Sequence, residues 1–375
     1  MRAVVWIPGA DPGWTLPPAV PTDWGWLGGG RRTMHELAVA LACAGEAVEL
    51  RGEVDVATLH ELSDAAGARP GLPDRPREPE ASDVVFVYEG IEEPIAYTRL
   101  ALSPARAVLM VLAAPGLFGW PFTAGWTVPD PLTVEPESVA RPEYFETATA
   151  LGFELWSNSR ALQRAAESAG TRCRFVGRGI PVAFPQPAAE RDIDALVLEN
   201  NRWAPLAARV AEELGPRAVV APHGRNRDLL ELLGRARVLV HPMRVEGNSR
   251  ITCEARGVVA VGSVGEMAGA VERLLADPDQ LGRLSARGME SAREEVAWEP
   301  FVERVAEALA DAGEDVARPA RAELGAALRE AERRRVAGVE HELDRHRSWL
   351  TSVNESLSWR MTSPLRAAGR RVRRR

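Results

Sequence analysis

Short apolar runs alternate along the chain with longer stretches in which apolar residues recur every three or four positions, the pattern of strands alternating with amphipathic helices. Residues 3–7 (AVVWI) are apolar throughout and read as a strand buried on both faces. A Pro-, Gly- and Trp-rich loop runs on to Gly30, after which RRTMHELAVALACAGE has helical spacing and AVEL (47–50) returns to the strand pattern. Strand, glycine loop, helix and strand in that order make one β-α-β unit of a parallel sheet. VVFVY (84–88), AVLMVL (107–112), FELWSN (153–158) and CRFVG (173–177) predict further strands, with ALQRAAESAG as a helix between the last two. The first domain is therefore expected to span residues 1–182.

GIPVAFPQPAAE has the composition of a linker, and beyond it the alternation restarts. Strands are expected at DALVL (194–198), AVVAP and VLVHP (238–242), separated by the helices LAARVAEEL and RDLLELLGRA and followed by EMAGAVERLLAD, giving a second domain over 183–312. Two similar α/β halves around a hinge make a cleft at the strand C-terminal ends, where such sheets bind ligands. From Ala320 the composition shifts to Ala, Glu, Arg and Leu, with Leu324, Leu328, Ala331, Val339, Leu343, Leu350, Val353 and Leu357 on a roughly heptad stripe. That pattern predicts a long helix or short coiled coil within 313–375, ended by Pro364, through which a homodimer could form.

A chain of 375 residues, 46% hydrophobic, has room for about two cores. Its net charge of −7 hides an asymmetry: without the six Arg of the last ten residues the remainder carries −13. An acidic body argues against nucleic acid as a partner, while the basic end suits an anionic membrane surface. The tail mixes those Arg with Trp349, Trp359, Leu357, Met361 and Leu365, the composition of an interfacial anchor. No Lys occurs anywhere, which excludes lysine-based chemistry. Cys43, Cys173 and Cys253 are far apart and form no C-x-x-C pair, so neither a disulfide framework nor a metal site is expected. With no apolar run long enough for a signal peptide or membrane span, the expected location is the cytoplasm, with peripheral contact at the inner face of the cell membrane through the tail.

Two segments carry candidate chemistry. Gly28-Gly29-Gly30-Arg31-Arg32-Thr33-Met34-His35 stands at a helix entrance, where glycine lets backbone approach a phosphate and the helix N-terminus offers free N–H groups. It is neither a G-x-G-x-x-G fingerprint nor a P-loop, and His35 reads as a packed helix residue. HPMRVEGNSRITCEARG (241–257) follows the strand VLVHP and places Glu246 in a loop at the cleft, with Glu254 in the ensuing helix. Carboxylates there can accept hydrogen bonds from sugar hydroxyls, and Arg244 and Arg250 can face phosphate.

HPMRVEGNSRITCEAR resembles the paired-glutamate segment of family-4 glycosyltransferases of the GT-B fold, two Rossmann-like domains facing a cleft, and it sits where that family has it. GGGRRTMHELAVALACAGEAVEL, LWSNSRALQRAAESAG, RNRDLLELLGRARVLVHP and the helical run 270–309 are similar, in order, to the family's glycine loop, last N-domain helix, approach to the donor site and closing helices. The resemblance implies retaining transfer of a sugar from a nucleotide-diphosphate donor to a carbohydrate or lipid-linked acceptor, in cell-surface polysaccharide or glycoconjugate synthesis, with no cofactor and no obligatory metal. It implies Glu246 on the donor sugar as the catalytic contact and Glu254 on the ribose. Gly29 and Gly30 would lie beside the diphosphate, with Arg202, Arg244, Gly247, Asn248 and Ser249 as further binding residues.

The sequence departs from the family in three places. LENNRWAPL keeps only Arg202 of the usual Arg and Lys on the diphosphate, AVLMVLAAPGLFGW lacks the usual His, and only twelve positions separate Glu254 from Glu266 where the pattern holds two further strands. Two alternatives follow: a catalytically degenerate GT-B subunit that binds sugar nucleotide or a partner, and a coiled-coil interaction protein on an α/β scaffold.

Overall fold

The structure is a computed structural model and describes residues 1–7, 15–22, 29–88, 94–112, 142–181, 191–199, 204–221, 226–242, 264–311, 337–338, 341 and 343–348. Within them lie two parallel sheets. The first contains β1 (Arg2–Ile7), β2 (Ala19–Thr22), β3 (Ala47–Asp55), β4 (Asp83–Tyr88), β5 (Arg106–Val111), β6 (Glu154–Ser157) and β7 (Cys173–Phe175), in the spatial order β2-β3-β1-β4-β5-β6-β7. Its helices are α1 (Gly29–Cys43), α2 (Val56–Ala66), α3 (Pro94–Leu102), α4 (Pro142–Ala150) and α5 (Arg160–Ser168).

Side-chain alternation explains why the strands are apolar throughout. Ala3, Val5 and Ile7 of β1, with Val84, Phe86 and Tyr88 of β4, enter one core cluster against α1 and α2. Val4, Trp6, Val85 and Val87 enter the other, with Tyr97 of α3, Phe145 of α4 and Leu162 of α5. Both faces of the sheet are covered by helices, so neither face selects polar residues.

The second sheet has β8 (Ile193–Leu198), β9 (Ala218–Ala221) and β10 (Ala236–Val240) in the order β10-β8-β9, with α6 (Ala204–Leu214), α7 (Asn226–Arg235) and α8 (Val264–Ala276). Ala195, Val197, Val238 and Val240 pack on α6 and α8, while Leu196 and Ala236 pack on Leu229, Leu232 and Leu233 of α7. Two more helices follow, α9 (Pro278–Glu295) and α10 (Trp298–Ala310).

Helix α10 belongs to the core of the first sheet. Phe301, Val305, Ala308 and Leu309 are buried in the same cluster as α1. The ring of Phe301 lies over Gly179, where an added Cβ would stand 2.4 Å from Phe301 Cδ1. Arg304 Nε donates to Val176 O (2.9 Å), and Ile180 N donates to Val296 O (3.1 Å). Arg174 pairs with Asp311 just past the end of α10.

Three expectations change. The stretch read as a loop from residue 8 to Gly30 contains the edge strand β2, whose Pro21 is tolerated because an edge strand has one unpaired side. Helix α1 starts at Gly29, so Gly29 and Gly30 are its first two residues. Strand β3 continues five residues past Leu50 to Asp55, through charged positions. Buried Arg51 fits there because Nε donates to Glu49 Oε2 (2.7 Å) and Nη1 to the carbonyls of Pro17 (2.8 Å) and Arg75 (3.1 Å). Of the expected C-terminal stripe, Leu343 is described and is 48% exposed on a helical stretch; most of the stripe and the Arg-rich tail lie outside the described residues.

If α10 is structurally part of the first half, Phe301→Ala should lower the unfolding free energy by about 3–5 kcal/mol, the usual cost of deleting a fully buried aromatic ring. Chemical denaturation of the full chain measures it, and a loss below about 1 kcal/mol would show that the helix packs only peripherally.

Candidate functional site at the two switch points

Strand order sets where a ligand can bind. In the first sheet the chain passes from β1 through the edge strand β2 and α1 to β3, both on one side of β1, then through α2 to β4 on the opposite side. Connections leave in opposite directions at β1 and β4, and the strand ends at such a switch point, here Ile7 and Tyr88, are where sheets of this kind bind ligands. The second sheet repeats the plan: β8 leads to β9, and α7 returns the chain to β10 on the other side of β8. In sequence, Arg202 follows β8 and the run from Arg244 to Glu254 follows β10.

Helix α1 begins beside the end of β4. Gly30 lies against the ring of Tyr88, where a Cβ would meet Cε2 at 2.7 Å and Cδ2 at 3.1 Å. Hydrogen at position 30 thus lets the helix start in contact with the end of β4. Tyr97 of α3 fixes that end from beneath, its hydroxyl donating to Tyr88 O (2.7 Å). The first turn of α1 contains no acidic side chain, so the positive end of the helix is not neutralised from within.

The polar residues of α1 point inward. His35 is fully buried; its Nε2 accepts from Asp55 N (3.2 Å), which leaves Nδ1 to carry the proton and donate to Arg31 O (2.8 Å). Burial lowers the imidazole pKa to about 4, partly offset by the Arg31 carbonyl and Asp55. A neutral ring held at both nitrogens is a structural tie, as the sequence suggested. Arg32 reaches Glu36 (3.6 Å) and Glu61 (3.5 Å). Thr33 Oγ1 accepts from Nη2 of the buried Arg178 (2.9 Å). At the end of β6, Ser157 O accepts from the backbone of Val176 (2.9 Å) and Gly177 (3.3 Å), and Ser159 caps α5 through Leu162 N.

In the second half, β10 hands over to His241, whose surroundings lower its pKa to about 4 through desolvation. Arg202, Arg244, Glu246, Gly247, Asn248, Ser249 and Glu254 lie outside the described residues. Of the expected site, the structure brings Gly29 and Gly30 to a switch point. Tyr88 and Arg178 were not foreseen there; Tyr88 reads in sequence as the last residue of a buried strand, and Arg178 is masked by its flanking glycines and the Pro-rich run that follows.

Two parallel sheets and a last helix returning to the first sheet make this an α/β chain with the GT-B fold. No family model matches the sequence, and no curated protein sequence does. Among solved structures it is similar to Anabaena HepE, crystallised with UDP and glucose, at 12% identity over 82% of this chain and 99% of that one, with a TM-score of 0.51. It is likewise similar to a sucrose-phosphate synthase from Thermosynechococcus elongatus at 13% identity over 83% of this chain and 98% of that one, with a TM-score of 0.53. At such identity the likeness is one of fold.

Two measurements check this geometry. A folded-state His35 pKa of about 4 against 6.5 when unfolded means that the unfolded chain alone binds the proton between those values, so stability falls as pH drops from 6.5 to 4. The loss ascribed to His35 is on the order of 3 kcal/mol, and His35→Gln should show a correspondingly flatter dependence of unfolding free energy across that window. Separately, Gly30→Val should destabilise the chain by about 1–3 kcal/mol through overpacking against Tyr88. Combining it with Tyr88→Ala should give less than the sum of the single losses, and strict additivity would show that the two positions do not touch.

Proposed function

We propose that the protein is a glycosyltransferase that moves a sugar from a nucleotide-diphosphate donor to a carbohydrate or lipid-linked acceptor, with retention at the anomeric carbon. The observation that carries this reading is the glycine-led N-terminus of α1, where Gly30 meets the end of β4 at the first switch point; the Arg- and Glu-bearing runs that follow β8 and β10 in sequence support it. The fold shared with HepE, whose structure holds UDP and glucose, supports the same reading.

In this mechanism Glu246 holds the donor sugar and Glu254 the ribose hydroxyls. Gly29 and Gly30 admit the diphosphate to the backbone of α1, and Arg202, Arg244, Asn248 and Ser249 donate to its oxygens. Departure of the nucleoside diphosphate concentrates negative charge on the phosphates, so preplaced N–H and guanidinium donors stabilise the transition state more than the ground state. The acceptor binds mainly to the first half, residues 1–182, and the donor mainly to 183–312. The protein works in the cytoplasm in cell-surface polysaccharide or glycoconjugate synthesis, its Arg-rich end resting on anionic membrane and its C-terminal helical run forming a dimer.

The departures in LENNRWAPL and after Glu254 favour one second reading, a GT-B subunit that binds sugar nucleotide without turning it over. Assays with uridine, guanosine and thymidine diphosphate sugars separate the two. The enzyme reading expects transfer that Glu246→Ala reduces by about a hundredfold or more, with circular dichroism and unfolding midpoint unchanged. Binding without turnover for every donor would favour the second reading, and unchanged turnover in the variant would remove Glu246 from the donor site.

A further inference from the structure

Three arginines among the described residues are almost completely buried: Arg32, Arg51 and Arg178, at 5%, 1% and 3% exposure. A guanidinium withdrawn from water costs several kcal/mol unless an anion and hydrogen-bond acceptors replace its hydration. Arg51 has Glu49 and three carbonyls, and Arg32 has Glu36 and Glu61. Arg178 donates through Nη2 to the neutral hydroxyl of Thr33, and its Nε and Nη1 are buried with no hydrogen-bond partner.

The backbone holding Arg178 is fixed on both sides. Val176 N and Gly177 N donate to Ser157 O, Ile180 N to Val296 O, and Arg304 Nε to Val176 O. An arginine held this firmly against an uncompensated helix end has only one complement in charge and geometry, an anion with several acceptor oxygens.

We infer that Arg178 is an oxyanion-binding residue, which with Thr33 and the first turns of α1 holds a phosphoryl group. The inference deepens the donor reading above and rests on it only for the source of that group. The phosphoryl group belongs either to the diphosphate of the nucleotide donor or to that of a lipid-linked acceptor; the chemistry at Arg178 is the same. If it is the donor's, a cation from the first half adds to the charge for which LENNRWAPL, without lysine, keeps only Arg202.

Titrating the full-length protein with pyrophosphate, UDP, uridine and farnesyl diphosphate tests this, by calorimetry and by the shift in Tm. Pyrophosphate should stabilise the wild type, and its affinity should fall at least tenfold in Arg178→Gln while uridine affinity stays the same. If the advantage of UDP over uridine vanishes in Arg178→Gln, the source is the donor; if farnesyl diphosphate alone loses affinity, it is the acceptor.

Ligand-free Arg178→Met should melt no lower than the wild type, because it removes an uncompensated charge; a merely structural strut would lose several degrees. Equal pyrophosphate affinity in wild type and Arg178→Gln overturns the inference, as does the absence of any pyrophosphate effect on the wild type, which needs no variant to fold. Arg178-dependent pyrophosphate binding without sugar transfer would overturn the proposed function and leave this inference standing. Transfer with unaltered binding in the variant would do the reverse.

Discussion

The constraint on which the structure depends is the burial of helix α1 on all sides from Arg32 to Leu41. Every residue from Arg32 to Leu41 is buried, because β1 and β3 lie beneath the helix, α2 lies beside it and α10 covers it. An ordinary surface helix hides one stripe; this one is enclosed, and four of its enclosed residues are polar. Each must therefore meet a specific partner: Arg32 meets Glu36 and Glu61, Thr33 meets Arg178, and His35 joins Arg31 O to Asp55 N. Buried polar contacts of this kind contribute less to net stability than to uniqueness, since a slip of the helix would strand all of them at once. The N-terminus of α1 consequently has one position relative to β1 and β4, and a site built on it is preorganised.

The contact with β3 shows how that order propagates. Asp55 closes β3: its N–H is held by His35 and its carboxylate oxygen Oδ1 accepts from Thr58 N (2.8 Å) to cap α2. One residue thus ends a strand, starts a helix and anchors α1. This explains why β3 can run through Arg51 and Glu53 to Asp55. Its continuation is specified by these polar contacts together with one buried apolar side chain, Val54.

Legibility in the sequence follows the same division. β1, β4, β5, β8 and β10 were visible as apolar runs because burial on both faces leaves no other composition available. α1, α5, α6, α7 and α8 were visible from their three-and-four spacing. β2 was hidden because an edge strand of sequence AVPT, set in a Pro-rich run, carries no periodic signal. α2 was overlooked although Asp55 and Gly67 bracket it as caps, the latter in the left-handed conformation. At the site, Gly29 and Gly30 announced a close approach, but nothing in sequence names the ring that Gly30 approaches. Arg178 was overlooked for a different reason: a charged residue between glycines reads as solvent-exposed loop, and only tertiary packing makes it a buried cation.

The closing helix ties the second half of the chain back to the first. Because α10 lies in the larger core, the chain leaves the first unit near Ile180 and re-enters it at Val296, and a single hydrogen bond joins those two points. Arg178 stands two residues from Ile180, with its backbone tied to the first unit and its Nη2 on Thr33 of α1. The packing that fixes α1 and α10 therefore also fixes this charge, so the oxyanion role inferred for it would require no movement of its own.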